Sequence, residues 1–154
     1  MKFQSTQSLC GPASLSNALK ALGRDVSEAA VEKAIKRSGS YRPAVNGTTQ
    51  DELALVAEKW AKVVMRGSCA DSLAIQFLRG ELVLGRVGII GVDRGTHWVA
   101  VIGLLGDRFL VVDPADDELV LSLSGPELRE RWVCHDAEAD TFDCEIVVLQ
   151  RKGR

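Results

Sequence analysis

The stretch from residue 87 to residue 123 most limits what this chain can fold into, because its apolar residues stop following a helical period. "VGIIGV" (87–92), "HWVAVIGLL" (97–105) and "RFLVVD" (108–113) are short and rich in β-branched residues, as strands are. The last two flank Gly106-Asp107, a hairpin signal. "LVLSL" (119–123) and "CEIVVLQ" (144–150) read as further strands, with a short helix from Ser124 to Trp132 between them. The first half is different. Ala13, Leu15, Ala18, Leu19 and Leu22 fall at helical spacing, with Pro12 suited to a first turn and Gly23 to a stop. Ser27 caps a second helix running to about Arg37, and Thr49 with Glu52 makes a capping-box pattern before "LALVAEKW". A short fourth helix is predicted over 70–78, and "SGSYRPAVNG" (38–47) has the composition of a surface loop. Helices first and an antiparallel sheet second make an α+β fold.

The length of 154 residues fits a single domain, 1–154, with enough chain to bury a core without staples. A net charge of −2 and the lack of a long basic run argue against nucleic acid as a partner. The N-terminus "MKFQSTQS" has no apolar core of signal-peptide length, and the run around "WVAVIGLL" is too short to span a bilayer. The expectation is a cytoplasmic protein with no membrane span. Cys10, Cys69, Cys134 and Cys144 contain no CxxC pair, and only His97 and His135 could add imidazole, so no metal is expected; nucleophilic thiol chemistry at Cys10 needs no organic cofactor either. Reduced thiols are the better expectation for such a chain.

One cysteine has a special setting. Cys10 directly precedes Gly-Pro and the first helical pattern. A thiol is a good nucleophile as its thiolate, and a helix N-terminus offers partial positive charge and unpaired N–H groups to that anion. His97 opens a strand beside a Gly-Thr turn and is the candidate base. Asp113 ends the next strand before Pro114 and is the candidate for orienting the imidazole. Hairpin geometry sets a condition on this trio. A regular two-residue Gly106-Asp107 loop pairs Asp113 with Ala100, on the opposite face from His97; a three-residue loop or a bulge pairs it with Val99, on the same face.

Gln4, "CGPASLSNAL", "HWVAVIG" and "VVDPA", in this order, resemble the papain-like bacteriocin-processing cysteine peptidases. These are the double-glycine leader peptidases usually found at the N-terminus of peptide-exporting ABC transporters. The resemblance runs from Gln4 to about Trp132. It implies a papain-like fold with N-terminal helices packed on a C-terminal antiparallel sheet. It also implies Cys10 as nucleophile, His97 as general base and acid, Asp113 as the residue orienting His97, and Gln4 as an oxyanion donor beside the Cys10 backbone N–H. The substrate implied is a peptide or protein cut after small residues such as Gly-Gly. No transporter sequence follows Arg154, so a stand-alone peptidase-like domain is expected, with a separate transporter or a peptide-biosynthesis protein as its partner.

Two rivals stay open. One is an acyl- or peptidyl-transferase or an amidase on the same triad, in which an amine or another acceptor replaces water. The other is a non-catalytic peptide-binding module, against which the intact Gln4, Cys10, His97 and Asp113 set argues. Taken singly, each of these residues has an ordinary reading: a surface amide, a buried thiol, a strand-end histidine and a turn former before proline. His135 lies in the polar "WVCHDAEAD" segment and is not assigned a catalytic role. Cys69, Cys134 and Cys144 read as structural, Trp60, Trp98 and Trp132 as core, and Asp116, Asp117 and Glu118 as a solvated turn.

Overall fold

The structure of the protein is a computed structural model. It describes residues 10–38, 48–93, 97–116, 120–136 and 141–153, with the backbone alone at 134–136, 141 and 142. Gln4 and most of the 38–47 loop lie outside the described residues, as do Asp117, Glu118 and the side chains of Cys134 and His135.

Three helices come first: α1 (Cys10–Ala21), α2 (Glu28–Arg37) and α3 (Gln50–Ala57). Their ends follow the local sequence signals. Gly23, at φ 82°, ends α1 in a Schellman turn: Arg24 N–H reaches the Leu19 carbonyl at 2.8 Å and Gly23 N–H the Lys20 carbonyl at 2.9 Å. Ser27 accepts from Ala30 N–H, and the Thr49/Glu52 capping box is closed in both directions. Helix α3 stops at Ala57, before Trp60, and Ala61–Ala70 forms a strand, β1, where no strand was expected. "AKVVMRGSCA" lacks clean alternation because β1 is an edge strand with a register shift between Val63 and Met65 and charged Lys62 and Arg66 along it. Helix α4 (Asp71–Val83) is longer than expected: the Ala74, Leu78, Leu82 spacing continues through Gly80, and the helix stops at the Gly85 turn.

The remaining elements are β2 (Val87–Val92), β3 (His97–Leu105), β4 (Arg108–Val112), β5 (Leu121–Leu123), α5 (Gly125–Trp132), β6 (Cys134–Asp136) and β7 (Thr141–Arg151). Among the described residues they make one antiparallel sheet in the order β1-β7-β2-β3-β4-β5, with β6 paired to β7. Helices cover both faces. Ile89, Trp98, Ala100, Val112, Val147 and Leu149 face α1, α2 and α3, while Ile90, Val99, Val101, Val111, Ile146 and Val148 face α4 and α5. Burial on both faces is why β2 reads as an unbroken apolar run rather than an alternating one.

Helix α1 is the central helix. Every residue from Cys10 to Leu19 is buried, including Ser14, Ser16 and Asn17. Buried hydroxyls need partners. Ser14 donates to the Trp98 carbonyl at 2.8 Å and Ser16 to the Val26 carbonyl at 2.6 Å, which ties α1 to β3 and to the chain entering α2. Trp98 and Trp132 are core, as expected, and their indole N–H groups donate to the carbonyls of Thr48 and Glu145. Trp60 is partly buried against the α1 side of the core. No helix among the described residues is long and apolar enough to cross a membrane.

Candidate active site

Cys10 is the first residue of α1 and is 6% exposed. Its neighbour explains the Cys-Gly-Pro order. A Cβ on Gly11 would stand 2.6 Å from the Cβ and 2.7 Å from the Oγ1 of Thr48. Only glycine lets the first turn of α1 lie this close to the segment leading into α3. Thr48 is itself held by its carbonyl, which accepts from Trp98 Nε1 at 2.8 Å. Pro12 then occupies the first turn, where its missing N–H costs no intrahelical bond. The nucleophile candidate thus sits between β3 and the entry to α3.

His97 is the first residue of β3, paired with Val92 at the end of β2. Its Nε2 lies 2.6 Å from Asp113 Oδ1. The hairpin reaches this geometry by the bulge, not by a longer loop. Leu105 pairs with Arg108 across Gly106-Asp107, the register shifts between Val101 and Gly103, and Ala100 then pairs with Val112. Ile102 is the extra residue. Val101 and Leu104, three apart, pack on the same side of the sheet, opposite Val111 and Phe109, which are two apart. Asp113, next after Val112, therefore falls opposite Val99, on the His97 face.

Asp113 is 5% exposed, and three donors hold its carboxylate. Oδ1 meets His97 Nε2 and accepts from Ala115 N–H at 2.9 Å; Oδ2 accepts from Arg131 Nη2 at 3.1 Å. Burial alone would push this carboxyl up, but the His97 and Ala115 hydrogen bonds, with Arg131, bring it down to about 2. Burial likewise pushes the His97 imidazole down, and the hydrogen bonds to Asp113 and Cys10 outweigh it and hold the ring at about 9. With Nε2 engaged by Asp113, Nδ1 is the ring nitrogen left for the Cys10 thiol. The fold thus brings three of the four residues singled out from sequence, Cys10, His97 and Asp113, into one hydrogen-bonded line. Gln4 is outside the described residues, and so is the side chain of His135.

Arg131 was not foreseen as part of this cluster. It lies 18 residues beyond Asp113, in the last turn of α5, where a basic side chain is ordinarily explained by the helix dipole. No spacing or motif marks it. Among the described residues no group of three or more His, Cys, Asp or Glu side chains could hold a metal ion.

Comparison with solved structures gives the same architecture. The peptidase domain of Streptococcus ComA, described as a bi-functional ABC transporter involved in a quorum-sensing pathway, is 17% identical and superposes with a TM-score of 0.66 over 98% of this chain and 97% of its own. A C39-like peptidase from Bacillus anthracis is 13% identical, with a TM-score of 0.61 over 100% of this chain and 96% of its own. The fold is therefore α+β and papain-like. No curated protein sequence matches the chain. The model of the Peptidase_C39 like family matches residues 1–132, which carry Cys10, His97, Asp113 and Gln4, and the chain belongs to that family.

Proposed function

We propose that this chain works as a single papain-like domain, a cysteine peptidase in which Cys10 is the nucleophile, His97 the general base and acid, Asp113 the residue orienting His97, and Gln4 an oxyanion donor. The observation that carries the reading is the hydrogen-bonded line from the first residue of α1 through His97 to Asp113. A ring held at about 9 is protonated at neutral pH and so carries the proton that the leaving nitrogen needs.

The Cys10 sulfur adds to a peptide carbonyl carbon, and the carbonyl oxygen becomes an oxyanion. The side-chain amide of Gln4 and the backbone N–H of Cys10 donate to it. His97 gives its proton to the leaving nitrogen as the C–N bond breaks, leaving a thioester on Cys10. The neutral ring then takes a proton from water as the water oxygen attacks the thioester carbon; collapse of that adduct breaks the C–S bond, releases the carboxylic acid and regenerates the Cys10 thiolate beside the protonated ring. By the family resemblance the substrate proposed is a peptide or protein cut after small residues such as Gly-Gly; because the ComA domain belongs to an ABC transporter, the partner proposed is a separate transporter or a peptide-biosynthesis protein.

The test is mass spectrometry of a peptide library rich in small residues, incubated with the wild-type chain or with Cys10→Ala. New N-termini with the wild type and none with the variant are expected. The product formed without added amine separates hydrolysis from transfer: a hydrolase releases the free carboxylate, whereas a transferase needs an acceptor amine to turn over. Equal products from both proteins would overturn the reading.

A further inference from the structure

We propose that Arg131 is a positioning residue for the triad: its guanidinium bridges Asp113 and Asp93 and so fixes the plane of the carboxylate that orients His97. The inference rests on the peptidase reading above for its functional meaning, though its geometry stands by itself.

Asp113 has two oxygens and one task. Oδ1 must face His97 Nε2, but a carboxylate turns readily about its last side-chain bond. A donor on the other oxygen stops that rotation. Arg131 supplies it, at 3.1 Å from Oδ2, from a half-buried position. Arg131 is itself held at several points. Its Nη2 and Nε reach the two Asp93 carboxylate oxygens at 3.2 and 3.4 Å, and its own backbone carbonyl accepts from Asp93 N–H at 3.0 Å. Asp93 follows directly on Val92, the residue paired with His97, and its φ of 53° is unusual for a side chain other than glycine. The end of β2, the end of β4 and the last turn of α5 thus meet on one guanidinium. Helix α5 is a rigid mount, because Leu128 and Trp132 on either side of Arg131 are buried against the sheet. A planar fork with several donors can hold two carboxylates at once; a lysine ammonium is a point charge and holds the same geometry poorly.

The charged and titratable groups facing His97 among the described residues are Cys10 from α1 and Asp113 after β4, with Arg131 and Asp93 behind Asp113. This makes the roles separable by sign. Removing a positive charge near His97 makes its protonation easier and raises its midpoint. Letting Asp113 turn away weakens the hydrogen bond that holds the ring at about 9 and lowers the midpoint.

The experiment is an NMR titration of the His97 ring in the whole chain, with His135 assigned through His135→Asn, for wild type, Arg131→Met and Arg131→Lys. Melting curves check that each variant is folded. In Arg131→Met the midpoint is expected to fall by roughly one pH unit or more. In Arg131→Lys, which keeps the charge and the helix, it falls by less. A folded Lys variant decides the matter even where the Met variant does not fold. An unchanged midpoint in the folded variants, or a raised one, overturns the proposal. The readout involves no turnover, so it is independent of the Cys10→Ala comparison: that comparison can fail while Arg131 still sets the His97 midpoint, and the converse also holds.

Discussion

His97 Nε2 and Asp113 Oδ1 stand 2.6 Å apart, although the two-residue turn between their strands would by itself put the two side chains on opposite faces of the sheet. The single extra residue at Ile102 corrects the parity. The pair that results is buried and strongly perturbed, and its pH dependence can be stated with a sign. His97 is raised from its ordinary 6.5 to about 9, so its contribution to stability is fully present below about 6.5 and lost as pH rises through about 9. Asp113 is lowered from 3.8 to about 2, so its contribution is present above about 3.8 and lost as pH falls through about 2. The expected result is a melting temperature that declines between pH 7 and pH 10, with a His97-dependent part on the order of 2 kcal/mol. His97→Gln should flatten that decline, which melting curves across the range will read; an equal slope in both proteins would remove the pair as its source.

The thiols should separate by reactivity. Burial pushes the Cys69 thiol up, and burial with the nearby Asp71 carries Cys144 to about 12, so both are poor nucleophiles at neutral pH. Cys10 lies against a protonated imidazole at a helix N-terminus. Iodoacetamide mapped by mass spectrometry in the folded chain is expected to label Cys10 first. Faster labelling of Cys69, Cys134 or Cys144 would contradict the assignment of Cys10 as nucleophile.

Gly11→Ala tests whether the close approach to Thr48 sets the position of Cys10. The added methyl meets Thr48 Cβ at 2.6 Å, a distance that neither backbone tolerates, and the first turn of α1 has to move. Overpacking of this kind costs about 1–3 kcal/mol. The expected outcome is a folded but destabilised chain in which Cys10 alkylation slows markedly. Thr48→Gly removes both the Cβ and the Oγ1 that the new methyl would meet and should restore part of the loss in the double variant, as a double-mutant cycle would show.

Gln4 is tested by the charge that develops at one atom. Loss of one oxyanion donor costs on the order of 3 kcal/mol, about a hundredfold in turnover. Gln4→Ala should show that loss, and Gln4→Glu should be at least as impaired because it sets negative charge beside a negative transition state. Cys10 alkylation in Gln4→Ala should change much less, since that reaction forms no oxyanion. Near-normal turnover in both variants would leave the mechanism to Cys10, His97 and Asp113.

What could be read from the sequence alone follows a physical division. Signals carried by neighbours along the chain were legible: the Ser27 cap, the Thr49/Glu52 box, the Gly23 stop, the Gly106-Asp107 turn, and the strands built from β-branched runs. The Cys10, His97, Asp113 order was legible too, because each residue sits at an element boundary marked by glycine or proline. Other features depended on contacts between distant segments. β1 was hidden because an edge strand with charges and a bulge has no clean period. Ser14 and Ser16 of α1 gave no sign that they would be buried, since their partners, the carbonyls of Trp98 and Val26, come from distant segments. Whether the hairpin would bulge at Ile102 was undecided by composition, because both registers satisfy the turn; packing of Val101 and Leu104 on one side of the sheet decides it. The place of Arg131 was beyond local reading for the same reason. Its two carboxylate partners are 38 and 18 residues away, and only the docking of α5 against the ends of β2 and β4 brings the three together.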